Sequence, residues 1–323
     1  MSPPDPTVAL LPTLSIRLTN FAAEDPGDWQ PMFDRARAAD QAGIDRVLVS
    51  DHVVFGENLE AYGRPELGGS EGGVQPTGPD GMWLEPLTVL AMVAAVTSRV
   101  RLQTDIIQAA LRRPVVLAKT AATLDVLSGG RLDLGVGVGW QREEYDAAGL
   151  SFDGRGRLLD QTLAVCQALW RDSPASFDGD GLRFDSIHCM PKPLQPGGVP
   201  VWVSGTLNAA VLRRIVRFGS GWVPWGRDAR DLPSSLARVH EALVQAGRDV
   251  TGFQVPGTLP RVRDGSGQLD LAATMDAVPG LVDAGVTDFR VTLAIPESLG
   301  EAIDFLSGIV EAFRSTVGRP GLG

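Results

Sequence analysis

The sequence predicts an α/β chain folded as a (β/α)8 TIM barrel with insertion loops at the C-terminal face of its strands. Three observations predict it. Strand-like and helix-like segments alternate from one end to the other, the pattern of parallel strands joined by crossover helices. About eight such pairs are present, the number at which a barrel closes. The 323 residues, 44% of them hydrophobic, supply a large core while staying within the size of one barrel. The whole chain, 1–323, is therefore read as one domain.

In chain order, the strands are expected at 14–19, 46–50, 100–106, 132–138, 200–203, 221–224, 253–258 and 288–293. A helix over 29–42 follows the first strand and ends at Gly43. The helix after the third strand is the clearest. Pro114 suits a first helical turn, Leu117, Ala121 and Leu124 share one face, and Gly129-Gly130 ends it. Further helices fit 154–170, 208–218, 232–246, 271–284 and 297–313. Three stretches exceed the minimal barrel. The Gly- and Pro-rich stretch 53–81 and the stretch 140–153 follow strands, on the side where βα-loops build active sites, so either is a candidate lid; a floppy surface insertion is the plainer reading of the first. Stretch 172–199 precedes the fifth strand, and its Ser176 to Phe184 reads as a hairpin turning at Asp-Gly, with no chemical role.

Charge and composition then exclude several classes. A formal net charge of -10 opposes attraction to a nucleic-acid backbone. No apolar run reaches the roughly 20 residues of a membrane span. The N-terminal stretch 1–14 has no basic region followed by an apolar run, so no secretory leader is expected and the chain reads as cytoplasmic. Cys166 and Cys189 are too few for a disulfide framework, and Lys119 and Lys192 are the only lysines, leaving few candidates for a Schiff base.

Chemistry concentrates at strand ends. In Arg131 to Gly139, Leu132, Leu134, Val136 and Val138 share one strand face, while Asp133, Gly135 and Gly137 share the face toward the barrel interior. Bulky branched residues usually fill that interior, so glycine there marks close approach, either of another molecule or of neighbouring side chains. The amides of Gly137, Val138 and Gly139 form a candidate phosphate nest. The dinucleotide fingerprint fails, since its third glycine would fall at Trp140 or Arg142, and neither lysine follows a glycine as a P-loop requires. Gly205, Thr206 and Asn208 lie between the fifth strand and its helix, where an anion or a plain N-cap would fit equally.

Ser50-Asp51-His52 closes the second strand, and alternation puts Asp51 and His52 on opposite sides. Of the three histidines, His52 alone stands at a strand's C-terminal end, where it is either a proton donor or acceptor or a structural group bonded to the loop. No metal-ligand spacing is present, so no metal site is expected. Trp140 is a candidate cofactor contact, and Arg142, Glu143 and Glu144 read as a solvated charge cluster.

Ser50-Asp51-His52, Leu102 to Ile106, Arg113 to Lys119, Ala122 to Arg131, Gly135 to Trp140 and Arg142 to Tyr145 together resemble the luciferase-like monooxygenase superfamily, most closely its branch that uses the deazaflavin coenzyme F420. The resemblance continues through Phe177-Asp-Gly, Pro191-Lys-Pro193, Val201 to Gly205 and Gly219 to Trp222, covering nearly the whole chain. It implies a barrel holding the cofactor at its C-terminal mouth. It implies a bulge at Thr104-Asp105-Ile106, often with a non-proline cis peptide, against the ring, with Gly137 to Gly139 serving the phosphate or side chain. His52 would stand near the ring's reactive carbon as the catalytic residue. Asp51, Trp140, Gly205 and Thr206 complete the expected cofactor-binding set. Glycine or serine usually stands where this chain has Asp105. A carboxylate there disfavours an anionic reduced cofactor unless it is turned away or paired.

The expected activity is hydride transfer between F420 and a small organic substrate. FMN-dependent monooxygenation is the alternative, since Asp51-His52 tilts toward deazaflavin where the flavin branch has paired histidines or Glu-His. A cofactor-independent barrel hydrolase or lyase using Asp51, Asp105 and His52, or a non-enzymatic F420 carrier, are readings of another class. A small-molecule substrate and a homodimer are the expected partners, with neither nucleic acid nor membrane.

Overall fold

The computed structural model describes residues 11–318; most of the stretch read as lacking a leader lies outside them. Twelve strands form in chain order: β1 (Thr13–Arg17), β2 (Phe21–Ala22), β3 (Arg46–Val49), β4 (Met82–Trp83), β5 (Arg101–Ile107), β6 (Leu132–Val136), β7 (Ala175–Gly179), β8 (Leu182–Ile187), β9 (Val201–Gly205), β10 (Gly219–Pro224), β11 (Pro256–Thr258) and β12 (Asp288–Val291). Eight of them make one parallel sheet in the order β10-β9-β6-β5-β3-β1-β12-β11. A parallel bridge between Gly221 and Gln254 joins its two edges, so the sheet closes into a barrel. These eight are the eight expected strands. The pairs β2-β4 and β7-β8 are small antiparallel ribbons, the second being the hairpin expected at Asp180-Gly181.

The helices are α1 (Gln30–Ala42), α2 (Pro86–Val96), α3 (Pro114–Leu127), α4 (Arg142–Ala147), α5 (Arg155–Arg171), α6 (Ala209–Phe218), α7 (Arg227–Arg230), α8 (Leu232–Gln245), α9 (Leu271–Met275), α10 (Val278–Asp283) and α11 (Leu299–Thr316). Gly43 ends α1 in the left-handed conformation, as expected of a glycine past the last turn. Besides the short α4 and α7, which were not expected, two longer segments depart from expectation. Sequence periodicity gives no sign of α2, because its run PLTVLAMVAAV is apolar around most of its circumference. The stretch 271–284 breaks into α9 and α10 at Asp276-Ala277, just before Pro279, whose ring cannot accept an unbroken helix on its N-terminal side.

Side chains from the inner faces of the strands do not fill the lower barrel with branched aliphatics. Arg46 is buried there, with Nη1 2.5 Å from Asp288 and Nε 3.4 Å from Asp133, and its guanidinium lies 4.6 Å from the Trp202 ring. Arg101 closes on both oxygens of Asp133 at 2.7 Å. Charges this deep are tolerable only when paired, and each has a partner of opposite sign.

The register of β5 against β6 slips between Thr104 and Ile107, and the Asp105–Ile106 peptide there is cis. This is the bulge the family resemblance implied. Its closeness explains the glycines of β6. A Cβ on Gly135 would lie 2.1 Å from the Thr104 carbonyl oxygen, and one on Gly137 would lie 2.5 Å from Ile106 Cδ1. At Gly135 the room is thus taken up by the backbone of β5, whereas Gly137 meets only the Ile106 side chain and also borders the cavity described below.

Candidate active site

A cavity of about 670 Å³, within the usual range for small-molecule sites, opens at the C-terminal end of the barrel. Every barrel strand reaches it: Arg17 ends β1, Ser50 to His52 follow β3, Asp105 and Ile106 form the β5 bulge, and Gly137 to Trp140 follow β6. Ser204 and Gly205 end β9, Val223 and Pro224 end β10, Thr258 ends β11 and Arg290 comes from β12. The stretch 53–81 forms one side through Tyr62, Pro65, Glu66, Gly68, Gln75 and Pro76. It is tied down in several places. Gly56 and Gln141 exchange two hydrogen bonds of 3.2 Å, Trp225 Nε1 donates to the Gly69 carbonyl at 2.9 Å, and Arg155 Nη2 donates to the Leu67 carbonyl at 2.9 Å. These bonds tether the segment along the edge of the cavity.

His52 faces this cavity. Its ring packs against Phe55, Trp83 and Trp140 at centroid distances of 4.3, 4.8 and 5.7 Å. Gln75 Nε2 lies 2.9 Å from its Nε2, and Glu144 Oε2 lies 3.3 Å from its Nδ1. Asp51 points the other way, as alternation required. Its carboxylate accepts from the Gln108 amide at 2.8 Å and from Arg112 Nη1 and Nη2 at 2.6 and 2.9 Å, clamping the end of β3 to the turn after β5.

Asp105, the residue at odds with the family pattern, is paired on both oxygens. Arg17 Nη2 lies 2.5 Å from Oδ2 and Arg290 Nη1 lies 2.8 Å from Oδ1. Burial alone would raise its pKa, but the charges of Arg290 and Arg17 outweigh burial and hold the carboxyl below the ordinary range. Deeper in the barrel Arg290 Nε also lies 3.7 Å from Asp288, which pairs with Arg46 and continues the ion pairs to Asp133. At the cavity floor itself Arg17 and Arg290 share the single carboxylate of Asp105, so the floor is locally positive in a protein whose net charge is -10.

Residues 14–262 match the model of the family described as luciferase-like monooxygenase. The chain belongs to this family. It is 33% identical over 205 residues to an uncharacterized protein of Mycobacterium tuberculosis (strain ATCC 25618 / H37Rv), a match spanning 64% of this chain and 68% of that one. Its fold resembles that of an F420-dependent secondary alcohol dehydrogenase in complex with an F420-acetone adduct, with a TM-score of 0.71 at 18% identity over 94% of this chain and 99% of the other. It also resembles riboflavin lyase with modified FMN and riboflavin, with a TM-score of 0.70 at 16% identity over 96% and 92%. Identities this low establish the barrel and nothing finer.

In this luciferase-like barrel, His52, Asp51, Asp105, Ile106, Gly137, Val138, Gly139, Trp140, Gly205 and Thr206 all border the cavity. Thr104 stands apart from it. Its buried hydroxyl donates to the Gly135 carbonyl at 2.8 Å, so it joins β5 to β6 and does not face a ligand. At the loop after β9, Asn208 Oδ1 accepts from the amides of Ala210 and Val211, the Leu207 amide donates to Asp228, and the Thr206 hydroxyl donates to the Trp225 carbonyl. The capping role thus accounts for Asn208, and the cations at this end of the cavity are Arg155 and Arg214. Trp140 is buried with its Nε1 lacking a hydrogen-bond partner.

Glu144 corrects the reading of residues 142–144 as a solvated cluster. It is only 1% exposed, because α4 turns it inward beneath His52. Arg17, Arg290, Gln75 and Arg155 are the other site residues that sequence reasoning missed. For two of them a signal existed: Arg17 and Arg290 interrupt the apolar strands LSIRL and FRVTL, where a charge has to face either solvent or a polar interior.

Proposed function

We propose that this chain is an F420-dependent oxidoreductase that transfers a hydride between the deazaflavin and a small organic carbonyl, alcohol or activated alkene. The observation that carries the reading is His52, an imidazole turned into a large cavity at the barrel mouth across from the Asp105–Ile106 bulge. The residues fit a planar anionic group. Ile106 and Gly137 to Trp140 offer a narrow, mostly apolar wall, Trp140 Nε1 is a buried donor with no acceptor of its own, and the floor beneath is positively charged. When bound, the deazaflavin accepts or delivers the hydride at its central-ring carbon.

The protein's own part is orientation, exclusion of water and handling of one proton. Ile106, the Gly137 to Gly139 segment and Trp140 would hold the ring, and Arg155 would face its charged tail. His52 would accept the proton that an alcohol releases, or return it to a carbonyl. The 53–81 wall would close the site as a lid. A hydrolase built on Asp51, Asp105 and His52 lacks support, because Asp51 is held by Arg112 and Asp105 by Arg17 and Arg290. The same pairing removes the reason to read Asp105 as the mark of a carrier.

The deciding experiment is titration of purified protein with F420 and, separately, with FMN while following tryptophan fluorescence, since Trp83, Trp140 and Trp225 border the cavity. Tighter binding of F420 by tenfold or more supports the proposal. Preference for FMN replaces it with a flavin-dependent monooxygenase. A homodimer in a reducing, cytoplasmic setting belongs to the same proposal: Met92, Val115 and Val116 on the neighbouring helices α2 and α3 are exposed apolar side chains, and both cysteines are free.

A further inference from the structure

We propose that Glu144 is the positioning residue for His52, fixing which ring nitrogen carries the proton and presenting the other to the cavity as a proton acceptor. The inference rests on the reading of His52 as the proton-handling group. Glu144 itself does not border the cavity, so anything it does for chemistry passes through the ring.

Glu144 Oε1 accepts from the Val53 amide at 2.9 Å and Oε2 accepts from Gln108 Nε2 at 2.8 Å. Among the described residues no arginine or lysine pairs with it; its charged contact is His52, with Nδ1 3.3 Å from Oε2. That contact lies out of line for a full hydrogen bond, since Nδ1 has no aligned partner in the structure. A carboxylate that already accepts from two N–H groups is favourable to a third donor and repels a lone pair, so the nitrogen facing it carries hydrogen. His52 is then the Nδ1–H tautomer, and its Nε2 holds the lone pair.

The other side of the ring agrees with the same assignment. Gln75 Nε2, 2.9 Å from His52 Nε2, is an amide nitrogen that donates and cannot accept, so His52 Nε2 must accept. Two neighbours from different parts of the chain, α4 and the 53–81 wall, thus select one tautomer. Phe55, Trp83 and Trp140 hold the ring plane between them. Gln75 also borders the cavity, so a substrate hydroxyl that displaces its amide finds the Nε2 lone pair in place. As the C–H hydride passes from the substrate carbon to the oxidised deazaflavin of the proposed function and the carbonyl forms, the O–H proton would pass to Nε2, and the buried carboxylate at Nδ1–H would stabilise the resulting imidazolium.

The test reads the tautomer directly by long-range 1H–15N correlation on the 15N-labelled, ligand-free protein, with His52 assigned by its loss in His52→Asn. The expected wild-type spectrum has a protonated, pyrrole-type Nδ1 and a pyridine-type Nε2. Glu144→Gln should lose that single form and shift population to Nε2–H, while Glu144→Asp, which keeps the charge, should retain Nδ1–H. A wild-type Nε2–H tautomer overturns the proposal, as does an unchanged tautomer in Glu144→Gln. Should Glu144→Gln fail to fold, the wild-type and Glu144→Asp spectra decide it. Because no cofactor is present, failure to bind F420 would sink the proposed function and leave the pair standing, whereas Nε2–H would sink the pair even in an active enzyme.

Discussion

Replacing Asp105 by Asn tests the charge arrangement at the cavity floor. The side chain keeps its shape, but Arg17 and Arg290 lose the carboxylate that separates them. Removing one partner of a buried ion pair costs about 3–5 kcal/mol. The Arg290 and Asp105 side chains are 15% and 5% exposed, so that contact should approach the full figure. The Arg17 side chain is 38% exposed and its pairing is correspondingly screened by solvent. Some of the loss is recovered because the Asn carbonyl still accepts one hydrogen bond, and the net expectation is about 3 kcal/mol at pH 7. In urea, with a slope near 3 kcal/mol per molar for a chain of this size, the midpoint should fall by about 1 M.

The pH dependence fixes the cause. Asp105 has a lowered pKa in the folded protein, so its contribution is complete above the unfolded carboxylate value of about 3.9 and fades as pH drops through the folded value. The gap between wild type and Asp105→Asn should be level from pH 5 to 8 and close under acid conditions below about pH 4. A gap under about 1 kcal/mol at pH 7, or one that persists unchanged at pH 3, would refute the reasoning.

Other expectations follow from the same geometry. His52→Ala should lower turnover by about 100-fold, the usual worth of a positioned acid or base, and change cofactor affinity by less than threefold; steady-state rates beside fluorescence titration separate the two. Gly135→Ala should destabilise by about 3 kcal/mol, because its Cβ meets the backbone oxygen of Thr104, whereas Gly137→Ala meets only the tip of Ile106 and should instead push that side chain into the cavity, weakening cofactor binding with little loss of stability. Comparing urea midpoints with binding constants for the two variants checks the contrast. Val116→Glu should convert a dimer into monomers of 34.3 kDa by sedimentation equilibrium, leaving the thermal midpoint of the monomer unaltered.

What the sequence made legible is what periodicity encodes. Parallel strands buried on both faces write continuous apolar runs, and the eight runs lie where the strands form. Helices with one buried stripe and a polar outer face, such as α5 and α6, write a 3.6-residue pattern. Helix α2 wrote none, since β3, β5 and the neighbouring helices α1 and α3 all pack around it and its exposed residues, Met92 among them, are themselves apolar. The pattern disappears when the outer face is not polar, and an outer face of that kind is what a helix at a subunit contact would carry.

The site was legible only where a rare residue type met a strand end. His52 was found that way, because just three histidines exist and one follows a barrel strand. Glu144 could not be, since Arg142-Glu143-Glu144 has the composition of a surface helix, and only the turn of α4 decides that Glu143 packs over Gly56 while Glu144 goes beneath the imidazole. Asp105 shows a further limit. Judged as one residue against a family habit, it is a charge in the wrong place. Set between Arg17 and Arg290, and linked through Asp288 to Arg46 and Asp133, it is one rung of an interior ladder that reaches from the closed end of the barrel to the cavity floor. Each of those residues looks anomalous in its own strand, and none is once the barrel closes. A charge inside a buried strand is therefore informative in sequence only when its partners are sought in the other strands at matching depth, and here that search would have led from Arg46 to the floor of the active site.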